Sequence, residues 1–128
     1  MRYIDIMRNA IQSKYCLIKY YYTALSLMSQ GEVSAFYKPL FFEFPNDVNA
    51  YKDPEYNIML GSALKLSVLS NELDKNQTSF YFPQGTWCPV FRPFDACIDA
   101  TAGGQTVEMG SKAYEFGLHI RDGFIMPF

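Results

Sequence analysis

The sequence predicts an α+β fold, with a long N-terminal helix followed by sheet. Three observations lead there. Apolar residues recur every three or four positions through the first thirty residues, a helical period. Beyond residue 60 short runs alternate between apolar and polar, the period of a strand. Between the two lies Pro39-Leu40-Phe41-Phe42-Glu43-Phe44-Pro45, an apolar aromatic run bounded by prolines.

At 128 residues one domain is the natural size, and the chain can bury roughly two thirds of its unfolded surface. With 49% hydrophobic and 17% aromatic residues, disorder is excluded. A net charge of −2 leaves no electrostatic footprint for nucleic acid or an acidic membrane surface. The first residues do not read as a signal peptide, because Asp5 and Arg8 interrupt any apolar stretch. Tyr15 to Met28 is apolar but too short to span a bilayer. Asn76-Gln77-Thr78 has the form of a glycosylation acceptor.

The predicted helix covers residues 1 to 30. Ile4, Met7, Ile11, Tyr15, Ile18, Tyr22 and Leu25 share one face, and Ile6, Ala10, Leu17, Tyr21, Ala24 and Met28 widen it to more than half the circumference. Gly31 stands where a C-cap belongs. At ~1.5 Å per residue this rod would be about 40 Å long, more than a small domain needs.

Leu40 to Phe44 has the length and continuous apolarity of a strand buried on both faces. Asn46 to Tyr56 reads as loop, with turn chemistry at Pro45-Asn46-Asp47 and Asp53-Pro54. Leu64, Leu66 and Val68 alternate with Lys65 and Ser67 as a half-buried strand. Asn71 to Thr78 is a polar turn, Ser79 to Phe82 and Thr86 to Phe91 are aromatic strands, and Thr101 to Gln105 is loop. Tyr114, Phe116, Leu118 and Ile120 form the cleanest alternating strand. Asp122-Gly123 can turn a hairpin whose return arm begins at Phe124-Ile125-Met126.

Four blocks resemble glycoside hydrolase family 31, the α-glucosidase family. They are Met7-Arg8 through Tyr20-Tyr21-Tyr22-Thr23 with Lys38-Pro39-Leu40-Phe41-Phe42-Glu43-Phe44-Pro45-Asn46-Asp47, then Met59-Leu60-Gly61-Ser62-Ala63-Leu64, Tyr81-Phe82-Pro83-Gln84-Gly85-Thr86-Trp87, and His119-Ile120-Arg121-Asp122-Gly123-Phe124-Ile125-Met126-Pro127. The resemblance implies that residues 1–45 are the last helix and last strand of a (β/α)8 glycosidase barrel. Residues 46–128 would then begin the C-terminal β-sandwich, here a partial antiparallel one. Three positions depart from the family pattern: Lys38 stands for Arg, Val68 for Pro, and Cys88-Pro89 for Tyr-Asp.

The resemblance also implies retaining hydrolysis of O-glycosyl bonds in α-glucosides or oligosaccharides by two carboxylates, without a cofactor. The family nucleophile is an Asp in an aromatic-x-Asp-Met-Asn block, and its acid/base is an Asp followed by Asn after a glycine. Neither pattern occurs in this sequence, so no catalytic residue is assigned and the chain is expected to be inactive alone. Substrate-binding residues and compartment stay open, although family members are often lysosomal, of the endoplasmic reticulum, or secreted. A non-catalytic carbohydrate-binding or interaction module is the alternative.

Glu43 is the best local candidate for acid chemistry, since an aromatic surrounding raises a carboxyl pKa. The plainer reading pairs it with a Lys or Arg, or has it cap a loop. Asp95 and Asp99 read as surface, and so does His119, the only histidine. Trp87 and Tyr81 are able to stack on sugar rings but read first as sandwich core. Cys16, Cys88 and Cys97 have no metal-ligand spacing; Cys88 and Cys97 are able to pair, buried free thiols being the plainer expectation. The wide apolar face of the helix and the cut hairpin lead one to expect an incomplete folding unit with a large exposed apolar patch.

Overall fold

A computed structural model describes residues 2–33, 35–68, 70–72, 75–77, 79–91, 95–109 and 117–127. The expected single helix is two, α1 (Tyr3–Cys16) and α2 (Ile18–Ser29), divided at Leu17. No proline or glycine breaks it. The Leu17 N–H bonds back three residues, to the Lys14 carbonyl at 3.1 Å, with φ −91° and ψ 0°. Leu17 thereby enters a core with Leu60, Leu64 and Leu118, only 4% exposed. Burying a leucine is worth about 1.5–3 kcal/mol, while the tighter bond keeps the N–H satisfied, so packing outweighs regular geometry.

One side of the apolar arc lies outside. Ile4, Met7, Ile11, Tyr15, Ile18, Tyr22 and Leu25 are exposed, from 45% at Leu25 to 77% at Tyr22. Leu17, Tyr20 and Tyr21 pack on the sheet instead. The apolar arc is wide enough for two contact faces, and the described protein covers one. At the C-terminus the expectation holds. Gly31, at φ +78°, donates to the Met28 carbonyl and Glu32 to that of Leu27, both at 3.1 Å, the paired bonds of a Schellman motif.

The proline-bounded run is also rearranged. The strand ends early, as β1 (Tyr37–Pro39), and Leu40–Glu43 is a helical turn, α3, rather than a strand. The Phe44 N–H closes it on the Leu40 carbonyl at 3.0 Å. A run this short carries no period of its own, so continuous apolarity fits a buried turn as well as a buried strand. Leu40 is fully buried, and Phe41 stacks on Tyr51 at 4.8 Å between centroids. Tyr51 comes from a 3-10 turn, Val48–Tyr51, capped by Asp47 accepting from the Asn49 N–H at 3.0 Å. No longer helix follows Pro45 among the described residues, as the sequence led one to expect.

The strands that follow are β2 (Asn57–Leu60), β3 (Leu64–Ser67), β4 (Ser70–Glu72), β5 (Lys75–Gln77), β6 (Ser79–Phe82), β7 (Thr86–Pro89), β8 (Ile98–Asp99), β9 (Gln105–Glu108) and β10 (Gly117–Arg121). All are antiparallel to their neighbours. The large sheet has the order β1-β2-β3-β10-β7-β8, while β4-β5 and β6-β9 form two-stranded sheets. Strands β2, β8 and β9 were not anticipated. The expected polar turn at Asn71 to Thr78 contains the β4–β5 pair, with Asn71 opposite Asn76. Tyr114 and Phe116 lie outside the described residues. After the turn at Asp122-Gly123, residues 124–127 form no strand, so the expected return arm is absent there.

Register assigns the two faces of the large sheet. Leu60, Leu64 and Ile120 are directly opposed, as are Ile58, Leu66 and Leu118, and these pack with α2. Lys38, Met59, Lys65 and His119 form the alternate row. That row looks toward β6, whose Phe80 and Phe82 are fully buried with Trp87, Met59 and Leu40. The strand β3, expected to be half-buried, is therefore covered on both faces. The result is an α+β assembly of helix, six-stranded sheet and small sheet.

Candidate functional site

Polar side chains on the inner face gather into two clusters. The first centres on Glu43, which α3 delivers to the edge of β1. Its Oε1 accepts from Lys38 Nζ in an ion pair, and from Ser62 Oγ at 3.3 Å. Its Oε2 lies 3.7 Å from Arg121 Nη1. The Arg121 guanidinium also stands 4.7 Å from the centre of the Phe44 ring. Thus one carboxylate joins β1, the β2–β3 turn and β10. Lys38 is 7% exposed and Glu43 19%, so the pair is largely removed from water. This is the Lys or Arg partnership anticipated for Glu43, here with both. Both carboxylate oxygens are thus engaged by cationic side chains, with a hydroxyl as a third partner.

The second cluster surrounds Lys65, which has no exposed surface at all. Its ammonium donates to Asn57 Oδ1 at 3.0 Å and Ser67 Oγ at 2.8 Å, and lies 4.2 Å from the Phe82 ring centre. Burial pulls its pKa down to about 7. Directly opposite on β10 is His119, 7% exposed and packed edge-on against Phe82 at 4.9 Å. The expected surface histidine is therefore a core residue. Burial first, and the Lys65 charge second, bring its pKa down to about 4, with the Gly117 backbone opposing. Its Nδ1 is buried without a hydrogen-bond partner among the described residues.

The remaining candidates do not converge on either cluster. Trp87 is fully buried, donating Nε1–H to the Pro83 carbonyl at 2.9 Å, and so is core as anticipated. Tyr81 is core too; it donates to Asp47, and burial pushes its pKa up to about 12. Asp95 and Asp99 are at the surface. Asp99 accepts from Thr101 Oγ1 at 2.6 Å and its N–H at 3.1 Å, which lower its pKa. Cys88 and Cys97 are not free thiols but a disulfide, with Cα atoms 4.2 Å apart, because β7 and β8 bring them side by side. Cys16 is free and exposed.

A cavity of about 220 Å³ opens beside the first cluster, between α2 and the β2–β3 turn, lined by Tyr20, Leu27, Phe36, Lys38, Ser62 and Phe124 among others. Tyr20 fixes its floor, donating to the Leu60 carbonyl at 2.6 Å and accepting from the Ala63 N–H at 3.2 Å. Among the described residues no group of three His, Cys, Asp or Glu is placed to hold a metal ion, and no helix is long and apolar enough to cross a membrane. Sequence reading missed Lys65. Its only signal was a lysine between two leucines, which strand alternation assigned to solvent.

Fold and clusters together define a sandwich-type antiparallel module backed by a helix, with the charged groups of its two inner clusters paired or enclosed. The model of the glycosyl hydrolase family 31 C-terminal domain matches residues 34–126, and the chain belongs to this hydrolase family. It is 30% identical over 135 residues to the lysosomal alpha-glucosidase of Bos taurus, covering 94% of this chain and 14% of that protein. To the alpha-glucosidase of Hordeum vulgare it is 30% identical over 123 residues, covering 94% and 13%. Among solved structures, a Flavobacterium johnsoniae family 31 dextranase complexed with isomaltotriose superposes with a TM-score of 0.79 at 21% identity, covering 95% of this chain and 14% of that one. The chain thus spans about one seventh of the length of these relatives.

Proposed function

We propose that this chain is the C-terminal portion of an α-glucosidase-type hydrolase that cleaves O-glycosyl bonds, and that this portion contributes no catalytic carboxylate. The observation that carries the reading is the family match over residues 34–126, to a C-terminal domain. Residues 1–45 would be the last helix and strand of the (β/α)8 barrel and residues 46–128 the start of the sandwich behind it. The outward apolar side of α1 and α2 supports this, since a barrel supplies neighbours for it. The pairing of Glu43 supports a bracing role for that residue between the two parts. Substrates of the complete enzyme would be α-glucosides or oligosaccharides, with no part for nucleic acid.

Incubated alone with maltose or an aryl α-glucoside, the purified chain is expected to release no glucose. Turnover that disappears in Glu43→Gln would refute the reading and make Glu43 a catalyst. The alternative, a carbohydrate-binding module, predicts a rise in melting temperature with excess maltose or isomaltotriose. The burial of Trp87 and Tyr81 takes away the two rings first considered for sugar stacking.

A further inference from the structure

The second cluster has no part in that reading. Lys65 and His119 are directly opposed across β3 and β10, and both lie inside the sandwich. Among the described residues their surroundings hold no negative charge: β2 presents Asn57 and Met59, β3 presents Ser67, β7 presents Pro89, and β6 presents Phe80 and Phe82. The other charged groups described on this face are Lys38, which engages Glu43, and Arg121, which lies beside Glu43 and Phe44. Two cations directly opposed across a strand pair repel, and a closed apolar box does little to screen them.

We propose that the opposed Lys65–His119 pair is an acid-sensitive catch on the sandwich: when both are protonated, β6 and β9 loosen from the large sheet. This goes beyond the glycosidase reading and stands without it. The sign follows from the lowered pKa of each group. Unfolded, Lys65 stays charged up to about pH 10.4, whereas in the fold it is neutral above about 7, so stability rises with pH across that window. His119 acts lower down. Stability is lost as pH falls from about 6.5 in the unfolded chain through about 4 in the folded one.

The protein carries its own probe. Trp87, the only tryptophan, packs 6.0 Å from Phe82 in the same core. Thermal melts of the full chain, followed by Trp87 fluorescence from pH 4 to 9, test the proposal. The folded-to-unfolded ratio is expected to climb by up to about tenfold per pH unit between 7 and 9. Lys65→Met should remove that climb and melt higher than wild type at pH 7. His119→Gln should flatten the limb between pH 4 and 6.5. A climb that persists in Lys65→Met overturns the proposal. So does a Lys65→Met chain that melts lower or fails to fold, since the ammonium would then be holding the box together. A wild type without a cooperative melt, or with one that pH does not move, overturns it equally.

Discussion

Replacing Glu43 by glutamine removes one charge and almost no volume, so it isolates the electrostatics of the first cluster. Lys38 would then keep its ammonium at 7% exposure with no counter-charge in contact. Breaking a fully buried ion pair on one side costs about 3–5 kcal/mol. Here Glu43 is 19% exposed and the glutamine carbonyl still accepts from Lys38, so the loss should be nearer 2–3 kcal/mol, on the order of the lower limit of that range. The Arg121 contact, at 3.7 Å and with Arg121 26% exposed, adds at most about 0.5 kcal/mol. At roughly 4 °C per kcal/mol for a chain of this size, the melting temperature should fall by about 8–12 °C. Urea unfolding of the single variants and of Glu43→Gln/Lys38→Met completes a double-mutant cycle. The double variant should recover most of the loss, because no lone ammonium remains. A loss below about 0.5 kcal/mol, or a double variant as unstable as the sum of the singles, would refute this account of the cluster.

Two more predictions concern the sheet. Reducing Cys88–Cys97, or replacing both by serine, opens a loop of sequence separation 9 and should cost about 2.5 kcal/mol, measured as a drop in melting temperature with dithiothreitol. No drop would mean that β8 stays seated by its backbone pairing alone. Gly117→Ala should destabilise by at least about 2 kcal/mol in urea, since the new Cβ would lie 2.6 Å from the backbone carbonyl oxygen of Ser67, where strand pairing leaves no room. A near-neutral effect would place β10 further from β3 than the structure has it.

Local patterns in the sequence were read well where one force decides the outcome. The glycine cap at Gly31 and the aromatic strands β6 and β7 depend on nearest neighbours, and they appear where expected. Elements decided by two competing contacts were not legible. The apolar arc of the N-terminal helix satisfies two partners, and nothing in its period says which side meets the sheet. Leu17 interrupts the helix for a core that only the fold assembles. Lys65 and His119 were assigned to solvent because alternation assumes one wet face, and the central strands β3 and β10 have none there. Of the Glu43 cluster, the partner types were foreseeable, but Arg121 lies 78 residues further along the chain and only β10 brings it close. The disulfide likewise needed β7 and β8 to be seen as neighbours.

Having a core on each side also fixes how the central strands line up. In a sheet with one wet face, slipping a strand by a single residue exchanges inside for outside and is resisted from one direction. A slip of β3 against β2 and β10 would instead push Leu64 and Leu66 into the enclosure that Lys65 occupies, beside Asn57, and set Lys65 against Leu17 and Leu118. Both layers would lose their packing in the same step. The pairing of β2, β3 and β10 is thus specified twice over, by greasy contacts on the helix side and by hydrogen bonds to one enclosed amine on the other. An error in alignment during folding finds no partly satisfied state in which to rest.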